Sequence, residues 1–429
     1  MSLAKSILTV GGFTILSRIT GFARDMMVAN YLGAGLVADA FFVAFKFPNL
    51  FRRLFAEGAF NAAFVPMYAG IHETEGESAA HRFAERALAV LAWWLFLFVA
   101  GMEVVMPWAM HLFAPGFEST PGKMELATDL SRITFPYLLF ISLVSLQSGV
   151  LNSIGRFAAA AGTPVLLNLI LMAALVGLMP VTPTAGHALA WGTTAAGIAQ
   201  FLWLVFSVRN AGVRLGMTWP RLDPQILLLM KRIVPGAVGA GIYQVNLLVD
   251  TMIASMVSDG AVSVLYYADR VNQLPLGVVG IAIGTALLPV LARQLRAGDH
   301  EAATHSQNRS IEFALLLTLP ATAALLTISH PLVKTLFEHG KFGASETLMT
   351  AQALQAFAMG LPAFVLVKAL TPGFFAREDT STPVKVACAA MLANIVFNIA
   401  LMKPLAHVGV ALSTSLSAWA NVAALAIIL

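Results

Sequence analysis

Eight basic residues stand inside long apolar stretches: Arg18, Arg24, Lys46, Arg52, Arg53, Arg132, Arg270 and Lys368. A charge at the centre of a membrane helix costs about 2.5–3.5 kcal/mol on insertion scales, so each needs a physical reason. Arg132 lies in the first turns after an outer loop, where its long stem can carry the charge to the interface. Arg53 has Glu57 four residues on, the favourable spacing for a helical ion pair. Arg18, Arg24, Arg52 and Arg270 have no such local explanation. Guanidinium stays charged at any relevant pH and presents a planar fork of donors that matches phosphate. Four such groups with few carboxylates suit a polyanion such as a diphosphate. The nearby acids Asp25, Asp39, Glu57 and Asp269 are expected to gate the site or to balance its charge.

The elements that must position these residues follow from composition. Of 429 residues, 58% are hydrophobic and only 11% charged, against roughly 25% charged in soluble domains. Mean hydropathy is +0.79. The expected fold is all-α, a polytopic membrane protein of about twelve helices near 5–32, 37–70, 83–110, 124–153, 160–180, 186–209, 224–256, 262–295, 309–330, 345–375, 383–402 and 406–429. Pro48, Pro66, Pro275 and Pro289 fall inside these runs and predict kinked or interrupted helices. With the N-terminus inside, fourteen Lys and Arg fall in cytoplasmic loops and four (Lys123, Lys334, Lys341, Lys403) outside. The positive-inside rule therefore places the N-terminus of this inner-membrane-type protein in the cytoplasm.

The chain also repeats itself weakly. Ala29 to Phe42 aligns with Ala254 to Tyr267, Phe135-Pro136 with Leu361-Pro362, and Thr163-Pro164 with Thr382-Pro383, at an offset of about 220 to 227 residues. This predicts two pseudo-symmetric six-helix lobes, 1–215 and 216–429, around a central cavity, since repeat interfaces are where transporters bind substrate. Arg18 and Arg24 diverge by about 120° on an ideal helix, and Gly21 between them could open the helix and narrow that divergence. The four arginines are expected to face the gap between lobes. The run to Leu429 ends without a polar flank, which reads as a helix cut short.

Other classes fit poorly. No catalytic constellation is present, the nine histidines lie in loops or at helix ends without metal-ligand spacing, and Cys388 has no partner. A pI near 9.3 reflects dispersed topology charge, so no nucleic-acid partner is expected. The protein reads as a transporter, not an enzyme, without a cofactor. Membrane potential, worth about 2.3 kcal/mol per charge per 100 mV, or a monovalent cation are the candidate energy sources.

Ser17-Arg18-Ile19-Thr20-Gly21-Phe22-Ala23-Arg24-Asp25, Ala38-Asp39-Ala40-Phe41, Pro48-Asn49-Leu50-Phe51-Arg52-Arg53 and Ala56-Glu57-Gly58-Ala59-Phe60 together resemble the MurJ (MviN) family, as do Tyr267-Ala268-Asp269-Arg270, Leu274-Pro275-Leu276-Gly277 and Gly284-Thr285-Ala286-Leu287-Leu288-Pro289. The resemblance spans the chain and is most specific in its first 70 residues. It implies a lipid II flippase of the multidrug/oligosaccharidyl-lipid/polysaccharide exporter superfamily. Its essential arginines fall on Arg18, Arg24, Arg52 and Arg270, and its acidic positions on Asp25, Asp39 and Glu57. The implied partners are lipid II (undecaprenyl diphosphate carrying a disaccharide-pentapeptide), membrane lipids and other proteins of cell-wall synthesis. The family's usual last two helices, which build a groove for the lipid tail, are absent from this sequence. A flippase for another undecaprenyl-linked glycan fits the same charges. A cation-coupled drug exporter would need a carboxylate-dominated cavity and fits less well. A non-transporting scaffold would pair every buried arginine.

Overall fold

The computed structural model describes residues 3–55, 59–216 and 218–429. Among them are fourteen α-helices, two short 3-10 turns and no strand. By packing, the chain forms two compact units, one of residues 1–32 and 36–248, the other of residues 33–35 and 249–429. The division falls inside a helix, well past the loop near 215 where the repeat suggests it.

The first unit holds α1 (Leu3–Leu32), α2 (Leu36–Phe55), α3 (Ala59–Thr74), α4 (Glu77–Phe113), α5 (Lys123–Thr134), α6 (Tyr137–Ser153), α7 (Ala158–Leu178), α8 (Ala185–Asn210) and most of α9 (Pro224–Ser255). Its core is an aromatic and aliphatic cluster including Phe60, Phe64, Tyr68, Phe83, Tyr137 and Leu204. The second unit holds the end of α9, α10 (Ala261–Arg296), α11 (His300–Thr327), α12 (Ser329–Phe337), α13 (Ala344–Phe375) and α14 (Ser381–Ile428). Ala314, Ala363, Val365, Leu366, Phe374 and Leu425 lie in its main core.

Among the described residues, seven helical spans are long and apolar enough to cross a bilayer. α4 alone, at 37 residues, is about 55 Å long at 1.5 Å per residue, so its polar start has room to stand outside the hydrocarbon. Where one run was expected at 37–70, two helices are described, α2 and α3, and residues 56–58 between them lie outside the description. The expected break between 402 and 406 is present inside α14, where Ala406 takes φ 47°. Gly409 follows because a Cβ there would stand 2.3 Å from the Leu401 carbonyl oxygen. α12 was not expected as a separate helix.

The prolines inside helices show how a bilayer protein tolerates them. Pro48 has no N–H for the Ala44 carbonyl four residues back, and Thr134 Oγ1 of α5 donates to that oxygen at 3.0 Å. Pro107 likewise releases the Glu103 carbonyl, and Arg132 Nε donates to it at 3.2 Å. Freed backbone acceptors in an apolar medium are satisfied from neighbouring helices. Arg132 is exposed, as expected for a snorkelling side chain, but its head group has this additional, specific task.

Candidate functional site: buried charges and the amides that hold them

α1 runs unbroken from Leu3 to Leu32, through Gly21, so the helix is not opened there. Arg18 and Arg24 therefore keep their ideal-helix divergence. Arg18 is exposed, whereas Arg24 is 7% exposed. Arg24 Nε and Nη2 both donate to Asp25 Oδ1, at 3.0 and 2.6 Å. Arg24 Nη1 donates to Asn168 Oδ1 of α7 at 3.0 Å, and the Phe45 ring of α2 lies 5.8 Å from its Cζ. Asn168 in turn donates to the Ser17 carbonyl at 3.1 Å and to Thr20 Oγ1 at 3.2 Å. An arginine is thus held as a buried cation by a carboxylate on its own helix and an amide from another.

On α2, Phe47 packs edge-on against Phe113 at 4.4 Å and Phe51 against Phe98 at 5.1 Å. That aromatic face sets the rotation of the helix, leaving Lys46 and Arg52 half-buried and Arg53 exposed. Glu57, expected both as a charge-balancing acid and as the partner of Arg53, lies outside the described residues. Asp39, near the start of α2, is fully buried and accepts a hydrogen bond from Lys123 Nζ at 2.8 Å. Lys123 Nζ also lies 4.3 Å from the centre of the Phe117 ring. Lys123 is therefore a correction to the loop inventory: it opens α5 as a buried, ion-paired cation, 1% exposed, and is not a solvated outer-loop charge.

In the second unit Arg270 is half-buried, with Cζ 5.9 Å from the Tyr266 ring, and Asp269 accepts from Gln273 Nε2 one turn on. Lys368 is exposed. The same unit carries a second polar cluster, half-buried Asp250 with the buried Asn394 and Asn398, which was not among the expected site residues. Asp250 Oδ1 accepts from Asn394 Nδ2 at 2.7 Å and from Asn398 Nδ2 at 3.1 Å, and Asn398 Nδ2 also reaches Asn394 Oδ1 at 3.2 Å. Asn168, Asn394 and Asn398 are amides inside apolar helices. Each is the same kind of hydropathy anomaly as the arginines, and that signal could have found them.

Among the described residues no group of three His, Cys, Asp or Glu side chains could hold a metal ion. A cavity of about 740 Å³ in the first unit is lined by residues of α4, α5 and the loop between them, including His111, Glu118, Glu125 and Arg132, and by none of Arg18, Arg24 or Arg52. At the polar start of α4, Glu85 accepts from the Gly216 N–H at 2.8 Å and Arg86 pairs with Asp223. Asp223 also caps α9 by accepting from the Ile226 N–H at 2.9 Å. Burial pushes the Asp223 carboxyl up, but the Ile226 N–H and the Arg86 guanidinium outweigh it and hold it below the usual carboxylate range.

Comparison with known proteins places these features in a family context. The profile described as "Lipid II flippase MurJ" matches residues 28–429. The "Probable lipid II flippase MurJ" of Rhizobium meliloti (strain 1021) is 48% identical over 425 residues, covering 98% of this chain and 79% of that protein. The "Lipid II flippase MurJ" of Burkholderia cenocepacia is 37% identical over 426 residues, covering 98% and 82%. Among solved structures, "Lipid II flippase MurJ, inward closed conformation" superposes with a TM-score of 0.84 at 26% identity, covering 98% of this chain and 87% of that one. An inward-facing multidrug resistance MATE transporter superposes with a TM-score of 0.79 at 13% identity, covering 96% and 92%, which shows a shared fold.

Proposed function

The chain belongs to the lipid II flippase MurJ family, and from that membership we infer that this multi-pass membrane protein is a transporter that moves lipid II from the cytoplasmic to the periplasmic leaflet. The match over residues 28–429, with curated relatives up to 48% identical, carries the reading. Alternating access exposes the head group first to one side and then to the other, while the polyprenyl tail stays in lipid. Arg18, Arg24 and Arg52 in the first unit and Arg270 in the second bind the diphosphate and head group. The choice of arginine supports this: a planar fork of donors recognises phosphate by paired hydrogen bonds, and it carries no proton that neutral pH can remove. Asp25, Glu57 and Asp269 balance these charges, and Asp39 balances Lys123. The N-terminus lies in the cytoplasm and the membrane is the bacterial inner membrane, as the distribution of loop cations supports. Membrane potential or a monovalent cation supplies the energy.

The test is to replace Arg18, Arg24, Arg52 and Arg270 singly by alanine in the full-length protein and to measure lipid II flipping in cells. Loss of flipping in these variants is expected. Normal flipping by all four would refute anion binding by these arginines.

A further inference from the structure

We propose that Asn168 is the positioning residue of Arg24, fixing the plane of its guanidinium without adding charge to the cluster. The inference rests on the reading of Arg24 as a diphosphate-binding group and adds a residue on a different helix.

Asp25 adjoins Arg24 in the chain and meets Nε and Nη2 through a single oxygen. Such a contact at one edge leaves the guanidinium able to tilt about it. The second fixed point comes from α7, where Asn168 Oδ1 takes Nη1 at 3.0 Å. Two anchors on opposite sides of the fork define a plane, which a recognition geometry based on paired hydrogen bonds requires.

The amide itself is held. Its Nδ2 hydrogens go to the Ser17 carbonyl and to Thr20 Oγ1, and Thr20 Oγ1 donates to the Leu16 carbonyl at 2.9 Å. With one acceptor and two donors in use, the orientation of the amide is determined. Reversed, it would aim N–H at N–H and oxygen at the Ser17 oxygen. Asn168 is 5% exposed, so water does not replace a lost partner. The same side chain thereby joins Arg24 to the turn of α1 that carries Ser17 and Arg18.

An amide is also the right chemistry by charge. Arg24 and Asp25 together are neutral. A carboxylate at 168 would make the cluster anionic and repel a diphosphate, and it could not donate to Ser17. Asparagine orients the cation without cancelling it.

The experiment uses purified full-length protein in lipid nanodiscs, with lipid II as the probe and a short-chain polyprenyl diphosphate as competitor. Thermal unfolding is followed for every variant. Asn168→Asp is expected to weaken binding about ten- to a hundredfold, the scale of a lost hydrogen bond to a charged group. Asn168→Gln, whose amide arrives one methylene too far, is expected to weaken it about tenfold on the same scale. The double variant D25N/N168D moves the carboxylate across the guanidinium and restores the charge balance but not the amide's bonds to Ser17 and Thr20, so it should regain part of the binding lost by N168D. A packing role for Asn168 would not produce that rescue. If N168Q fails to fold, Asn168→Ala removes the contact without adding bulk or charge. Binding by N168D and by N168Q (or N168A) equal to wild type, with Arg24→Ala defective, overturns the proposal and leaves the anion site standing. A double variant no better than N168D also overturns it. Wild-type binding by R24A overturns the reading of Arg24 itself.

Discussion

The two units solve the same problem, a charged group held between two membrane helices, with opposite signs. In the first, Arg24 of α1 meets Asn168 of α7; in the second, Asp250 of α9 meets Asn394 of α14. Both contacts join residues 144 apart in the chain, and Asp25 and Asp250 stand at the offset that aligns Ala29 with Ala254. Yet the first amide accepts from a guanidinium, and the second donates to a carboxylate with Asn398 beside it. The helix-to-helix contact recurs at the same spacing, with an amide facing a cation in one unit and a carboxylate in the other. The asparagine permits this, because it can present either its oxygen or its nitrogen.

The largest expected effect tests whether the first cluster depends on charge pairing. Arg24→Ala leaves Asp25, 1% exposed, without its guanidinium, and breaking a buried pair in this way costs about 3–5 kcal/mol. R24A/D25N should recover much of that stability without recovering transport. In the second unit Asp250→Asn weakens the hydrogen bonds from Asn394 and Asn398, and about 1–3 kcal/mol is expected. Thermal unfolding in detergent measures both, and equal losses would break the comparison.

Lys123 and Asp39 extend the test to a pair that engages neither arginine nor amide in the contacts described. Lys123→Met strands a fully buried carboxylate and should cost about 3–5 kcal/mol, whereas K123M/D39L should lie close to wild type. A double variant as unstable as the single would show that the pair does more than neutralise itself.

The smallest effect concerns Asp223, outside the membrane. Asp223→Ala removes the α9 cap and the partner of Arg86, for about 1 kcal/mol. Because its folded-state carboxyl sits below the ordinary range, its contribution is complete above the unfolded value and disappears as pH falls through the lowered one. Unfolding followed from neutral to acid pH should show wild type converging on D223A.

Helix positions were legible because hydropathy reports burial in lipid directly. The runs expected at 186–209 and 345–375 correspond to Ala185–Asn210 and Ala344–Phe375. The arginines stood out for the same reason. Their partners did not, since Asn168 meets Arg24 only after the chain has folded, and an asparagine in an apolar run gives no clue to what it faces. Lys123 misled because a lysine beside Pro121 and Gly122 has the composition of a loop, while Asp39 and Phe117 take it inside. The compact units part inside α9, at residue 248, where the repeat leaves no mark in the sequence.

That boundary has a consequence for how the protein is made. The segment 211–223 is fastened to the start of α4 through Glu85 and Arg86, and Trp219 stacks on Trp93 at 6.2 Å. Arg86 and Asp223 are 137 residues apart, which a ribosome covers in roughly ten seconds. For that interval the polar start of α4 keeps Glu85 and Arg86 without these partners, and the contacts close only when translation has passed into α9. A nascent chain halted at 215 would carry α1 to α8 and an unfinished fold.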